Sequence, residues 1–307
     1  MKKLRVVFAG TPEFSVPSLQ TLINRSEIEV VCVYTRPDSR TGRGQKLVPS
    51  PIKKAAQNYK LFCMEIKDFS TPEAQKSFES LKPDLLVVAA FGIILPKSII
   101  EVPKLAINVH ASLLPRWRGA APIQRCILEG DNRTGISIMR IVEKLDAGPV
   151  ILQKSCAIGP NETNGSLHGL LANLGGTALN CALDKIINDS WSEISQSDEN
   201  VTYASKITRE DCEIDWRMTA ENIDRKIRSL HPKPGANAVI STIKVKIISA
   251  QVSDLGKDSN PGKVIISNKN RLIIATGNGN LQINFLQVPG KKASTAATFI
   301  NGYRKFL

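Results

Sequence analysis

The stretch Leu105-Ala106-Ile107-Asn108-Val109-His110-Ala111-Ser112-Leu113-Leu114-Pro115-Arg116-Trp117-Arg118-Gly119-Ala120-Ala121-Pro122-Ile123 joins two kinds of sequence. Leu105 to Val109 is an apolar run of the kind that forms a buried strand, with a carboxamide and an imidazole at its far end. A loop rich in Pro, Trp and Gly follows, carrying two arginines and no helical or strand periodicity. Residues two apart on a strand share a face, so Asn108 and His110 point the same way. Polar groups at the exit of a buried strand lie where open α/β sheets bind ligands. The stretch therefore predicts both a fold and a reactive site.

Working outward, the flanking sequence alternates in the same manner. Leu4–Ala9, Glu29–Tyr34 and Leu85–Ala90 are apolar runs of strand length, and Leu61–Met64 is a shorter one. Helical patterns at Pro17–Ile23, Pro51–Tyr59 and Pro72–Leu81 separate them, and Pro96 opens a further helix at its first turn. Ile123–Glu129 fits a short helix, and Gly135–Met139 a strand in a different register. Ser166–Ile187 has apolar residues at helical spacing, with Ser166 as its expected N-cap. This is the pattern of an α/β protein with a doubly wound, mostly parallel sheet. The turn Gly10-Thr11-Pro12-Glu13-Phe14 after the first strand lacks the GxGxxG spacing of a dinucleotide site, which argues against a nicotinamide cofactor.

Beyond residue 188 the pattern changes. Asn188–Ser205 is polar and reads as a linker, and Thr219–Leu230 as a basic-faced helix. Five short strands follow the His231-Pro232-Lys233-Pro234-Gly235 break: Asn237–Ile240, Ile243–Ala250, Gly262–Ile266, Leu272–Thr276 and Leu281–Leu286. They predict a small β-barrel, of which the OB type commonly serves nucleic acid. Aromatic residues are sparse there (Phe285, Phe299, Tyr303, Phe306), so backbone electrostatics are expected rather than base readout.

Charge divides further along the chain, with residues 1–224 on one side and 225–307 on the other. The 307-residue chain has 41 Lys/Arg, 28 Asp/Glu and a net charge of +13; residues 225–307 hold 14 of the cations and only Asp254 and Asp258 of the acids. The front of the chain is close to neutral. Charge alone fits either a polyanion-binding surface or a solvated lysine-rich one. The loop from Thr35 to Ser50 interleaves Arg36, Arg40, Arg43 and Lys46 with Pro and Gly, and is long for a βα connection. It suits a phosphate contact that orders on binding, or simply a mobile loop. The basic C-terminal portion tips the reading toward phosphate.

Other classes find little support. The N-terminal apolar stretch ends at Gly10, too soon for a signal peptide, and no run approaches the length of a membrane span. Six scattered cysteines form no CxxC and read as small core residues in a reducing cytoplasm. Three widely spaced histidines give no metal signature, and no metal is expected.

The polar groups at Asn108 and His110, with a carboxylate from the Leu145-Asp146-Ala147-Gly148 loop, define a chemistry. A carboxamide can donate to an oxyanion, and an imidazole can carry a proton near neutral pH while a carboxylate holds it. Asp146 is otherwise a turn residue, and rises above that role only if the fold brings it beside His110. No serine or cysteine is placed as an activated nucleophile, and Ser112 lacks a second base. Such a set suits direct acyl transfer to an amine through a tetrahedral intermediate.

Taken together, Asn108-Val109-His110, Ser112-Leu113-Leu114-Pro115, Arg116-Trp117-Arg118-Gly119-Ala120-Ala121-Pro122-Ile123 and Leu145-Asp146-Ala147-Gly148 resemble the folate-dependent formyltransferases. The resemblance extends along essentially the whole chain. It takes in Phe8-Ala9-Gly10-Thr11-Pro12, Gly42-Arg43-Gly44, Ile214-Asp215-Trp216 and Gly290-Lys291-Lys292. It implies a Rossmann-like formyltransferase domain over residues 1–189, a linker at 190–206 and an OB-like, basic tRNA-binding domain at 207–307. Asn108, His110 and Asp146 match the family's catalytic trio, and Ser112, Leu113, Leu114 and Pro115 its folate-contacting segment. Arg43 sits where the family's insertion loop carries a tRNA-contacting arginine. The implied donor is 10-formyltetrahydrofolate, and the implied acceptor the α-amine of methionine esterified to initiator tRNA. With no exposed heptad or zipper pattern, a monomer is expected, cytoplasmic and without a membrane partner. A family member acting on a small amine, or hydrolysing formyl-folate, shares the trio; the basic loop and basic C-terminal portion favour tRNA.

Overall fold

In a computed structural model, described for residues 2–41, 44–255, 260–267 and 270–307, the chain divides into two units. The first contains Met1–Gly119, Arg133–Ala157 and His168–Ala204; the second contains Ala120–Asn132, Ile158–Leu167 and Ser205–Leu307.

The first unit is built on a seven-stranded sheet. Its strands are β1 (Leu4–Gly10), β2 (Ile28–Thr35), β3 (Cys63–Glu65), β4 (Leu85–Ala89), β5 (Leu105–His110), β6 (Arg133–Arg140) and β7 (Val150–Ala157). Their order is β7-β6-β5-β4-β1-β2-β3, parallel from β5 to β3 and antiparallel at β6 and β7. The parallel strands are the apolar runs of the sequence, as expected for strands covered on both faces. Val6, Val7, Phe8, Leu85, Leu86, Val87 and Ile107 are all buried. Strand order reverses at β1, which lies between β2 and β4, and the carboxyl ends of the strands at such a switch point form the ligand crevice of doubly wound folds.

Helices begin where the capping chemistry allows. Ser50 accepts from Lys53 N–H at 3.0 Å to open Pro51–Asn58, and Thr71 from Ala74 N–H at 3.3 Å to open Pro72–Ser80. The long helix runs Asn164–Ile187 and begins two residues before the expected N-cap. Thr163 and Ser166 exchange side-chain-to-backbone hydrogen bonds (3.0 and 3.2 Å), so Thr163 caps and Ser166 completes a reciprocal box inside the first turn.

Two further differences from the sequence reading concern strands. Val150–Ala157 carries only three leading apolar residues before the polar run Gln153-Lys154-Ser155, and from Leu152 its burial alternates between half-buried and exposed, the signature of an edge strand with one wet face. The Gly148-Pro149 pair in front of it reads as a turn and hides it. The 35–50 loop also contains a small hairpin, Ser39–Thr41 against Lys46–Val48. At the hairpin's base, Lys53 Nζ pairs with Asp38 (2.9 Å) and with Glu65, and those hydrogen bonds raise the ammonium's pKa.

The second unit is an antiparallel half-barrel with two helices in its core. Its strands are β8 (Ala236–Ile240), β9 (Ile243–Ser253), β10 (Val264–Ser267), β11 (Arg271–Ala275) and β12 (Asn280–Gln287), in the order β8-β9-β12-β11-β10. The expected barrel is therefore open: among the described residues its end strands β8 and β10 do not pair. The helices Ala220–Leu230 and Ala296–Tyr303 supply Ile223, Ile227, Phe299 and Ile300 to a core shared with Val245, Ile247, Leu272, Ile274, Leu281 and Leu286. Helix Pro122–Glu129 also belongs here, and its Arg125 pairs with Asp211 at 3.0 Å.

Candidate active site

Asn108 and His110 lie at the carboxyl end of β5, with β4 on one side and the antiparallel β6 on the other. Asn108 is half-buried, and its carboxamide takes no hydrogen-bond partner among the described residues, so its NH₂ is available to a ligand. His110 is 5% exposed. Its Nε2 lies 2.9 Å from the Trp117 carbonyl, and a carbonyl can only accept, so this nitrogen carries a proton. The other ring nitrogen, Nδ1, faces Asp146 Oδ2 at 3.7 Å.

That leaves one working edge. Neutral His110 offers a lone pair at Nδ1, and the imidazolium offers N–H there toward the Asp146 carboxylate. Asp146 also accepts the Gly119 backbone N–H at 2.8 Å through the same oxygen. The fold has thus brought together the carboxylate and the imidazole, which lie 36 positions apart in sequence. Asp146 adopts φ +48°, a left-handed conformation that costs on the order of 1 kcal/mol for a residue with a side chain and persists where its surroundings over-determine it.

The Ser112–Pro115 segment turns directly away from β5. Ser112 is fully buried and its hydroxyl donates to the Arg116 carbonyl at 2.6 Å. Ser137 Oγ on β6 donates to the Ser112 carbonyl (2.7 Å) and accepts from Leu114 N–H (3.1 Å) and from Gln153 Nε2 (2.9 Å). Gln153 on β7 also donates to the Leu114 carbonyl at 2.9 Å. The segment's shape is therefore set by side chains from two neighbouring strands. Leu113 and Pro115 stay partly exposed, while Leu114 packs with Met139 and Val150. Arg43 lies outside the described residues.

The sequence reading missed a second set of residues, all reaching the site from the 190–204 segment. Gln196 Nε2 donates to the backbone carbonyls of Asp146 (2.8 Å) and Gly148 (2.7 Å). Its Oε1 accepts from Nε (3.0 Å) and Nη2 (2.8 Å) of Arg118, a residue only 2% exposed. Thr202 Oγ1 accepts Trp117 N–H at 2.9 Å, and residues 203–204 pair in parallel with 118–119. Val150 and Ile194 exchange backbone hydrogen bonds at 2.8 and 2.9 Å. A composition of Ser, Asp, Glu and Asn conceals such one-to-one bonds; Gln196 is the only residue of Ser192–Asn200 that is not exposed.

Burial pushes the Cys32 thiol up to about 12, with Cys63 adding to the shift, and burial also raises Cys63 and Cys212. Among the described residues no group of three or more His, Cys, Asp or Glu side chains is arranged to hold a metal ion.

A half-buried free carboxamide beside an imidazole–carboxylate pair, at the carboxyl end of a parallel strand of a doubly wound sheet, suits acyl transfer. The family model for formyl transferases matches residues 2–183, and that for the formyl transferase C-terminal domain matches residues 206–304. The chain belongs to the formyl transferase family. It is 44% identical over 301 residues to the methionyl-tRNA formyltransferase of Methylococcus capsulatus, covering 98% of this chain and 97% of that one. With the methionyl-tRNA formyltransferase of Marinobacter nauticus it shares 41% identity over 99% and 98%. In three dimensions it is similar to WlaRD, a sugar 3N-formyl transferase solved with dTDP and 5-N-formyl-THF. That match has a TM-score of 0.67 and 21% identity, and covers 95% of this chain and 100% of the other. This second likeness speaks to the fold.

Proposed function

We propose that the chain transfers the formyl group of 10-formyltetrahydrofolate to the α-amine of methionine on initiator tRNA, yielding N-formylmethionyl-tRNA for translation initiation. The observation that carries this reading is the end-to-end relationship, above 40% identity, to methionyl-tRNA formyltransferases. The site geometry supports the chemistry, and the basic second unit supports the substrate.

In this mechanism the methionyl amine attacks the formyl carbon and the carbonyl electron pair moves to oxygen. Asn108 donates to that oxygen, and the neighbouring His110 helps to stabilise its developing charge. One such donor is typically worth ~3–4 kcal/mol in the transition state. Asp146 holds the imidazolium and relays the proton that the amine loses, a contribution commonly of ~10²–10⁴-fold. The bond from the formyl carbon to the folate nitrogen then breaks, and that nitrogen takes up the proton, so the reaction balances without any outside reagent. Ser112, Leu113, Leu114 and Pro115 form the folate edge, with Leu113 and Pro115 the partly exposed members.

Residues 1–189 are assigned the chemistry, and residues 190–206 join them to 207–307, which grip the tRNA backbone electrostatically. Arg43 on the basic loop is assigned to the tRNA as well. We read the enzyme as a cytoplasmic monomer; no helix among the described residues is long and apolar enough to cross a membrane.

The test is direct. The protein, 10-formyltetrahydrofolate and methionyl initiator tRNA are mixed, and formyl-methionyl-tRNA is sought. Its formation supports the reading; transfer to water or a small amine, with none to the tRNA, sinks it.

A further inference from the structure

Residues 117, 118 and 119 touch three different partners in succession. The Trp117 carbonyl accepts from His110 Nε2, the Arg118 guanidinium donates to Gln196, and Gly119 N–H donates to the Asp146 carboxylate. Gln196 closes the circuit by donating to the Asp146 and Gly148 carbonyls. His110 and Asp146 are thereby joined through one ring of hydrogen bonds.

The amide at Gln196 has one orientation that satisfies its surroundings. Arg118 offers only donors, so the carboxamide oxygen must face it; two carbonyls offer only acceptors, so the NH₂ must face them. Arg118 is in turn almost wholly buried, and a buried guanidinium needs such an acceptor. On its far side the loop is also closed in. A Cβ at Gly148 would meet the Arg140 carbonyl at 2.0 Å, so backbone packs against backbone there. Gln196 is held from behind by the Val150–Ile194 backbone pair two residues earlier. A left-handed Asp146 is kept in place between these two supports.

We propose that Gln196 is a positioning residue for formyl transfer: its carboxamide, oriented by Arg118, fixes the Asp146 backbone so that the carboxylate faces His110 Nδ1. The proposal rests on the roles given above to His110 and Asp146. Gln196 touches neither substrate nor reacting atom in this scheme, and acts through Asp146. Small displacements of a catalytic group can cost on the order of 100-fold in rate, so the effect of losing it falls on turnover rather than binding.

Gln196→Glu is the informative substitution, because a carboxylate keeps the Arg118 interaction while replacing the NH₂ with an oxygen facing two carbonyls. Gln196→Ala serves as the second variant. For both, kcat, both KM values, the pH profile of kcat and the melting temperature are measured with 10-formyltetrahydrofolate and methionyl initiator tRNA. Gln196→Glu is expected to stay folded at the assay temperature and keep both KM values within about twofold, while kcat falls roughly 10–100-fold. The limb of the pH profile that reports the His110–Asp146 pair is expected to move. An unchanged kcat overturns the proposal, as does a loss of kcat with an unmoved pH profile, or one matched by the fraction unfolded. The underlying reading fails differently, through a wild-type enzyme that makes no formyl-methionyl-tRNA or an Asp146→Asn variant with wild-type turnover.

Discussion

The two units handle charge in opposite ways. In the first, His110, Asp146 and the residue proposed to position them are drawn inward and fixed one bond at a time: His110 to Trp117, Asp146 to Gly119, Gln196 to Arg118. In the second, cations stand outward from a sheet whose other face is core; on β9, Lys244 is exposed between the chain's turn and buried Val245, and Ile247 follows inward. Lys263, Arg271, Lys291, Lys292, Arg304 and Lys305 are exposed too. A reacting atom needs a position held to fractions of an ångström, whereas a phosphate backbone needs only charge density over a broad area. Substitutions in one unit should therefore show in turnover, and in the other in salt-dependent affinity.

The sharpest way to break that contrast is at the trio. Asn108→Ala, His110→Ala and Asp146→Ala are each expected to cut kcat by at least ~10²-fold with the fold intact, since none removes much buried apolar surface. Steady-state rates beside a circular dichroism melt decide it. Near-normal turnover in any one variant removes that residue from its role.

Next in size is the second unit's contribution. With tRNA binding measured from low to moderate salt, the wild type should weaken steeply as phosphate counterions are released. Lys244→Ala and Lys292→Ala should each lower the salt slope by about one while leaving kcat at saturating tRNA unchanged. A flat salt response would detach the basic unit from the tRNA. So would a lysine variant whose defect lies in kcat.

How much of this was legible in the sequence depends on the kind of interaction that forms each part. The parallel strands showed as apolar runs because both faces are buried, and β5 displayed Asn108 and His110 on one face through simple alternation. The half-barrel strands showed as short runs separated by turns rich in Gly, Asn and Asp. The edge strand β7 did not, because only its first residues are buried and the rest alternate toward water. Gln196 and Thr202 were invisible for another reason: each acts through long-range hydrogen bonds that no local periodicity encodes. Of the four aromatics counted as sparse in the basic region, Phe299 proves to be core and Tyr303 leans on it at 4.9 Å, leaving Phe285 and Phe306 on the surface. That favours the electrostatic reading over base stacking.

The smallest expected effect turns the comparison toward pH. His168 packs edge-on against buried Phe14 with ring centroids 5.6 Å apart, and burial holds its pKa below the usual 6.5 despite the opposing pull of Glu13. A depressed histidine pKa means the unfolded chain binds a proton that the folded chain refuses. Between the folded value and 6.5, therefore, stability rises with pH, and it is lost as pH falls through that window. His168→Gln removes the titration, so the variant's melting temperature should depend less on pH between 8 and about 5 than the wild type's. Its melting temperature at pH 8 can differ for packing reasons, so the comparison is of slopes rather than of absolute values. Equal slopes would mean that this ring is no source of acid sensitivity in the first unit. A smaller slope, with salt-dependent tRNA binding unaltered, would keep the division between a unit that answers to pH through burial and one that answers to salt through exposure.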